Sequence, residues 1–172
     1  MFSIQCEPFS SCAAALIEAL DNWQNALYPV ESQYCTDLAA LPDDELILLM
    51  ARDAQGHAAG CVSLLIQPQH CGELKRLYVA PTHRGKGLAE QLIAAVEQHA
   101  QQAGITLLRL ETGVHHHSAI RLYERLGYQR CAPFPPYGND PLGVYMAKTL
   151  RHDASSGHAA SRASDCLCGQ AI

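Results

Sequence analysis

The chain has 172 residues, 48 % of them hydrophobic, which suits one domain able to bury a substantial core. Its formal net charge of −5 lacks the basic footprint of a nucleic-acid binder, so nucleic acid is not an expected partner. The opening MFSIQCEPFS has no basic segment followed by an apolar one, and nowhere do about eighteen apolar residues run uninterrupted. No membrane association is expected, and the cytoplasm is the expected location.

After a short opening strand, Ala13, Leu16, Ile17, Leu20, Trp23 and Leu27 recur at three- and four-residue steps, predicting an amphipathic helix that Pro29 stops. LILLMARD and AAGCVSLLIQ, joined across a gap containing Gly56, predict a hairpin. A third strand, ELKRLYVA, ends at Pro81, which lacks the N–H that a central strand needs. Leu88, Leu92, Ile93, Val96 and Ala100 then line one face of a second helix. ITLLRLET predicts a buried strand after Gly104, and HSAIRLYERLGYQR a shorter helix ending at Gly127, where glycine takes a left-handed cap cheaply. CAPFPPYGNDP is a proline-stiffened loop leading to a last strand, LGVYMAKTL. This order predicts an α/β domain with a mixed sheet over residues 1–150. From Arg151 the composition shifts to Ala, Ser, His and Gly, predicting a disordered tail over 151–172.

Most of the eight cysteines sit in apolar runs, such as Cys61 in AAGCVSLLI, so reduced core thiols are expected rather than a disulfide framework. Cys166 and Cys168 lack a second ligand pair, and the adjacent His115, His116 and His117 cannot readily aim at one ion, so no metal is expected.

The segment that carries chemistry is VAPTHRGKGLAEQLI. A helix N-terminus offers unpaired N–H groups and the positive end of its dipole, and glycines remove side chains that would hold an anion away. Arg84 and Lys86 add charge, so Arg84, Gly85, Lys86 and Gly87 suit a phosphate. A P-loop is excluded because Leu88, not Lys-Ser or Lys-Thr, follows Gly87. A dinucleotide fingerprint fits poorly: Glu90 stands where a third small residue belongs, although Glu111 could pass for the ribose-binding carboxylate.

Taken as RxxGxA, residues Arg84 to Ala89 resemble the coenzyme A pyrophosphate loop of the GNAT superfamily of acyl-CoA-dependent N-acyltransferases. The resemblance covers LILLMARD to YMAKTL; its specific parts are ELKRLYVAPTHRGKGLA and AIRLYERLGY, with LETG and PFPPYGNDPLGVYM similar to a bacterial small-molecule branch. It implies an α+β GNAT fold with a mixed, mostly antiparallel sheet of about six to seven strands flanked by helices. It also implies acetyl-CoA as co-substrate, and it leaves room for a homodimer. The implied coenzyme contacts are Leu77, Tyr78 and Val79 on the strand, Arg84, Gly85, Lys86, Gly87, Leu88 and Ala89 at the turn, and His116 and Ser118 beyond. His116 stands where many members carry Asn.

Acetyl transfer to an amine needs an uncharged nitrogen, a polarised carbonyl and a proton for the departing thiolate. The resemblance implies Glu73 as the base, acting through water, and Tyr123 as the acid. Pairing of Glu73 with Lys75 and core packing of Tyr123 are the structural alternatives. Cys71 or Cys131 as a nucleophile is disfavoured, since direct transfer in a ternary complex needs none. The acceptor side is expected between YPVESQY and PFPPYGNDP. Glu31 and Asp140 could attract a cationic amine there, Tyr34, Phe134 and Tyr137 could wall it, and Arg76 could meet a substrate carboxylate. The expected activity is N-acetylation of a small-molecule amine or amino acid. A non-catalytic acyl-CoA sensor and a protein N-terminal or lysine acetyltransferase are the alternatives.

Overall fold

In the computed structural model, which describes residues 1–34 and 36–151, the three α-helices and six of the seven strands follow the predicted order. Strand β1 (Ser3–Cys6) leads into α1 (Ser11–Asn25), whose first turn is capped by the Ser10 side chain accepting from the Ala13 N–H. Strands β2 (Leu46–Arg52), β3 (Ala58–Gln67) and β4 (Cys71–Val79) form an antiparallel meander. Then come α2 (Leu88–Gln102), β5 (Leu107–Gly113), α3 (His117–Arg125), β6 (Gln129–Arg130) and β7 (Gly143–Thr149). The sheet order is β1-β2-β3-β4-β5-β7-β6, antiparallel except for the parallel β4/β5 pair.

Alternation along the strands divides the core. Leu49, Ala51, Val62, Leu64, Leu74, Leu108 and Leu110 face α2 and α3, while Leu48, Met50, Cys61 and Tyr78 face α1. On the α1 side, the β5/β7 half of the sheet is covered instead by an aromatic cluster of Phe134, Tyr137 and Tyr145. Two different covers therefore meet over the centre of the sheet.

Several expectations are corrected. Helix α1 ends at Asn25, which leaves Leu27 outside it and 41 % exposed, while Trp23, in the last turn, is 49 % exposed instead of completing the buried face. Strand β4 begins at Cys71, two residues before Glu73, and the short β6 pairs with β7 where only the end of a helix was expected. Cys61 and Cys71 are buried, but Cys6, Cys12 and Cys131 are exposed, so the described cysteines are not mainly core residues. Gly127 ends α3 with φ +89°, as its cap role requires. The expected tail lies, from residue 152, outside the described residues. No described helix is long and apolar enough to cross a membrane.

Candidate active site

The site begins where two strands part. Strands β4 and β5 pair only from Cys71 opposite Leu107 to Leu74 opposite Leu110, and beyond Leu74 they diverge. At the same level the β3/β4 register shifts between Ser63 opposite Lys75 and Cys61 opposite Tyr78, so Arg76 and Leu77 share the place opposite Val62. Arg76 adopts φ +55°, a conformation that costs a residue with a β-carbon about 1–3 kcal/mol. In a regular strand Lys75 and Arg76 would point to opposite faces. The bulge turns both to the α1 side, where Lys75 meets Tyr137 and Arg76 meets Asp21.

A cleft of about 120 Å³ occupies this opening, walled by Lys75, Arg76 and Leu77 of β4, Glu111 to Gly113 of β5, and Tyr123 of α3. The end of α1 and the following loop close it, with Tyr28 prominent. A β-carbon on Gly113 would lie 2.0 Å from the Tyr28 hydroxyl, so only glycine lets this ring approach. The hydroxyl in turn accepts from the His115 N–H at 2.9 Å.

Glu111 is the acid on the cleft wall. Burial, reinforced by the charges of Glu73 and Asp140 and opposed by Lys75 and Arg76, pushes its carboxyl up to about 7. Tyr123 is 5 % exposed, set edge-on to Tyr128 at 5.5 Å between centroids. Burial first, and the charge of Glu111 second, push its phenol well above the ordinary tyrosine value, so the hydroxyl stays protonated at any working pH. Packing and cleft-lining are thus both properties of Tyr123.

Glu73 is placed differently. It is 2 % exposed and both oxygens are engaged: Tyr137 donates to Oε1 in a short contact, Lys75 Nζ stands 3.4 Å from the same oxygen, and Gln67 Nε2 donates to Oε2 at 3.1 Å. Gln67 also accepts from Arg109, whose guanidinium lies 4.4 Å from the Phe134 ring centre. Glu73 therefore anchors a buried network beneath the 131–142 loop.

Of the expected acceptor residues, Tyr34 and Arg76 line the cleft. Phe134 and Tyr137 support its rim from the aromatic cluster, Asp140 accepts from the Tyr34 hydroxyl at 3.4 Å, and Glu31 is exposed in the turn Val30–Ser32. Of the expected coenzyme residues, Leu77 lines the cleft, Tyr78 packs under α1, and the Val79 carbonyl accepts from Arg84 Nε at 3.0 Å. Gly85 and Gly87 take φ +73° and +71°, and Gly87 caps α2 without any side-chain bond to its first turn. Lys86 Nζ bonds the Thr82 carbonyl at 3.1 Å, Leu88 is core, Ala89 is half-buried, and Ser118 is exposed.

His116 is 6 % exposed in the cleft wall, stacked on Trp23 with 4.7 Å between centroids, and its Nδ1 lies 3.2 Å from the Thr112 hydroxyl. Burial, then the neighbouring His115, lower its pKa. The sequence points to Glu111 only as the ribose carboxylate of a poorly fitting dinucleotide fingerprint, and to Tyr28 not at all. The available signal was strand parity: Arg109 and Glu111 share the face that carries Glu73 and Lys75.

The chain belongs to the Acetyltransferase (GNAT) family, whose sequence model matches residues 13–128. It is 39 % identical over 144 residues to an IAA acetyltransferase of Azospirillum brasilense, covering 83 % of this chain and 94 % of that protein. An aminoalkylphosphonate N-acetyltransferase of Salmonella typhimurium is 36 % identical over 80 residues, 44 % of this chain and 52 % of that protein. Among solved structures, a Klebsiella pneumoniae chain described as an acyl-CoA N-acyltransferase has a TM-score of 0.80 at 44 % identity, covering 88 % of this chain and 99 % of that one.

Proposed function

We propose that the protein transfers an acetyl group from acetyl-CoA to the primary amine of a small molecule, by direct attack with both substrates bound. The observation that carries this reading is the opening between β4 and β5, with Glu111 and Tyr123 on its walls. The small-molecule relatives named above support the acceptor class.

The residues fit the coenzyme. The first turn of α2 has no side-chain cap, and β-carbons on Gly85 or Gly87 would meet no atom within 4 Å, so the N–H groups are open to a pyrophosphate. Beyond Leu74, β4 presents main chain unpaired with β5, suited to a pantetheine arm and to polarising a carbonyl. Acetyl-CoA supplies a thioester whose C–S bond breaks as the new C–N bond forms.

Glu111 is the base in this scheme. With a pKa near 7 it is ionised in about half the molecules at neutral pH, and it takes the ammonium proton that must leave before nitrogen can attack. Tyr123 holds its hydroxyl proton until negative charge develops on sulfur, passes it to the departing thiolate, and is reprotonated by the second proton that the nitrogen sheds as the amide forms. Glu73, with both oxygens engaged, positions Lys75 and Tyr137 and acts on the reaction through them.

The test is thiol release from acetyl-CoA across a panel of amines. Release well above hydrolysis with at least one small amine is expected. Coenzyme binding without amine-dependent release would instead support the sensor alternative.

A further inference from the structure

The charges around the cleft restrict the acceptor beyond its amine. Glu111 is the one carboxylate among the described lining residues, whereas Lys75 and Arg76 are both there. A second ammonium, as in a polyamine, would find no further carboxylate on the wall, because Glu73, Asp21 and Asp140 stand behind it, engaged by Lys75 and Tyr137, by Arg76 and by Tyr34.

The two cations are not equivalent. Lys75 is committed: its ammonium is 2.6 Å from the Tyr137 hydroxyl, beside Glu73. Arg76 is held loosely, with Nη1 3.4 Å from Asp21 Oδ1 and Nη2 3.4 Å from the Thr36 carbonyl. Its Nε is buried with no hydrogen-bond partner, although its side chain is only 8 % exposed. A guanidinium has five N–H donors in a planar fork suited to an oxyanion, and most of this fork is unspent. The backbone holds Arg76 in a strained left-handed conformation that turns it to this side, and such strain persists where surrounding structure imposes it.

We infer that the acceptor is a small zwitterion, an amine carrying a carboxylate or phosphonate a few bonds from the nitrogen, whose anionic group binds the Arg76 guanidinium. Its nitrogen then faces Glu111 on the opposite strand. The anion completes the donors of Arg76, and the cleft orients the acceptor at two points instead of one. This inference rests on the acetyl-transfer reading above.

The experiment compares matched acceptors in thiol release by the purified protein: α-amino acids, their amides, the corresponding decarboxylated amines, the corresponding aminoalkylphosphonates and a polyamine. The expected result is that one anionic series exceeds its neutral counterparts at least tenfold in kcat/KM; the carboxylate and phosphonate arms identify which anion. Arg76→Gln should bring that ratio close to one, acting through acceptor KM more than kcat, and Arg76→Lys should restore it in part. Equal or better use of neutral amines or the polyamine by the unmodified protein overturns the inference while leaving acetyl transfer standing. An undiminished anion preference in Arg76→Gln also overturns it. Absence of thiol release with every acceptor overturns both.

Discussion

Glu111 changes charge within the range where an amine acetyltransferase must work. Its raised pKa predicts that kcat climbs with pH through an apparent value near 7, and that Glu111→Gln removes this limb and lowers kcat by about 10²- to 10⁴-fold. The same shift has a stability consequence. A carboxyl with an ordinary value of 4.5 that is raised to about 7 on folding favours the native state at low pH, and that contribution is lost as pH rises toward 7. Glu111→Gln should therefore come closest to the parent below about pH 4 and exceed it by about 3 kcal/mol at pH 9 in urea unfolding. Tyr123→Phe separates packing from proton donation: it keeps the ring against Tyr128 and should lower kcat about 10- to 100-fold with acetyl-CoA affinity and thermal midpoint nearly unchanged. A fully active Tyr123→Phe would return this residue to the core. Neither side chain's role is visible from residue type alone. Tyr123 was legible through its helix motif, whereas Glu111 stood out only as a possible ribose carboxylate, because its shift arises from burial and from charges distant in sequence.

The element that binds the coenzyme is the start of α2. Open space around Gly85 and Gly87 means that their glycine character is demanded by the backbone, since positive φ costs other residues about 1–2 kcal/mol. Gly87→Ala should misalign the first-turn N–H groups and weaken acetyl-CoA binding at least tenfold by calorimetry. Arg84→Ala, which removes a charge and the bond to the Val79 carbonyl, should weaken it about threefold. Unchanged affinity in both would displace the pyrophosphate from this turn. Helix α2 and strands β2 to β5 were legible because their apolar residues repeat at 3.6 or 2 positions. The bulge at Arg76 was not, for the run ELKRLYVA reads as regular alternation and the shift is set by pairing with β3. Trp23 kept the helical period but lies past the cover of the sheet, where it stacks on His116 instead.

At the scale of the whole molecule, strand order and helix placement follow from the alternation of elements, and the mixed sheet was legible in that sense. The meeting of two different covers over the sheet centre was not, because the aromatic cluster draws on residues of the 131–142 loop and β7 together. The parallel β4/β5 pairing, only four residue pairs long, is the one strand-to-strand seam joining β1–β4 to β5–β7 among the described residues. Ladder bonds at the end of so short a seam are the ones most easily lost in local opening. Those amides of Lys75 to Val79 and Glu111 to Gly113 that point into the opening, away from β3 and β7, should therefore exchange hydrogen faster than those of the β2/β3 ladder. A molecule wedged between the strands acts there as a substitute rung. Saturating coenzyme A should slow exchange on both strands at once, and the chain would thus be most uniformly structured when its substrate is bound.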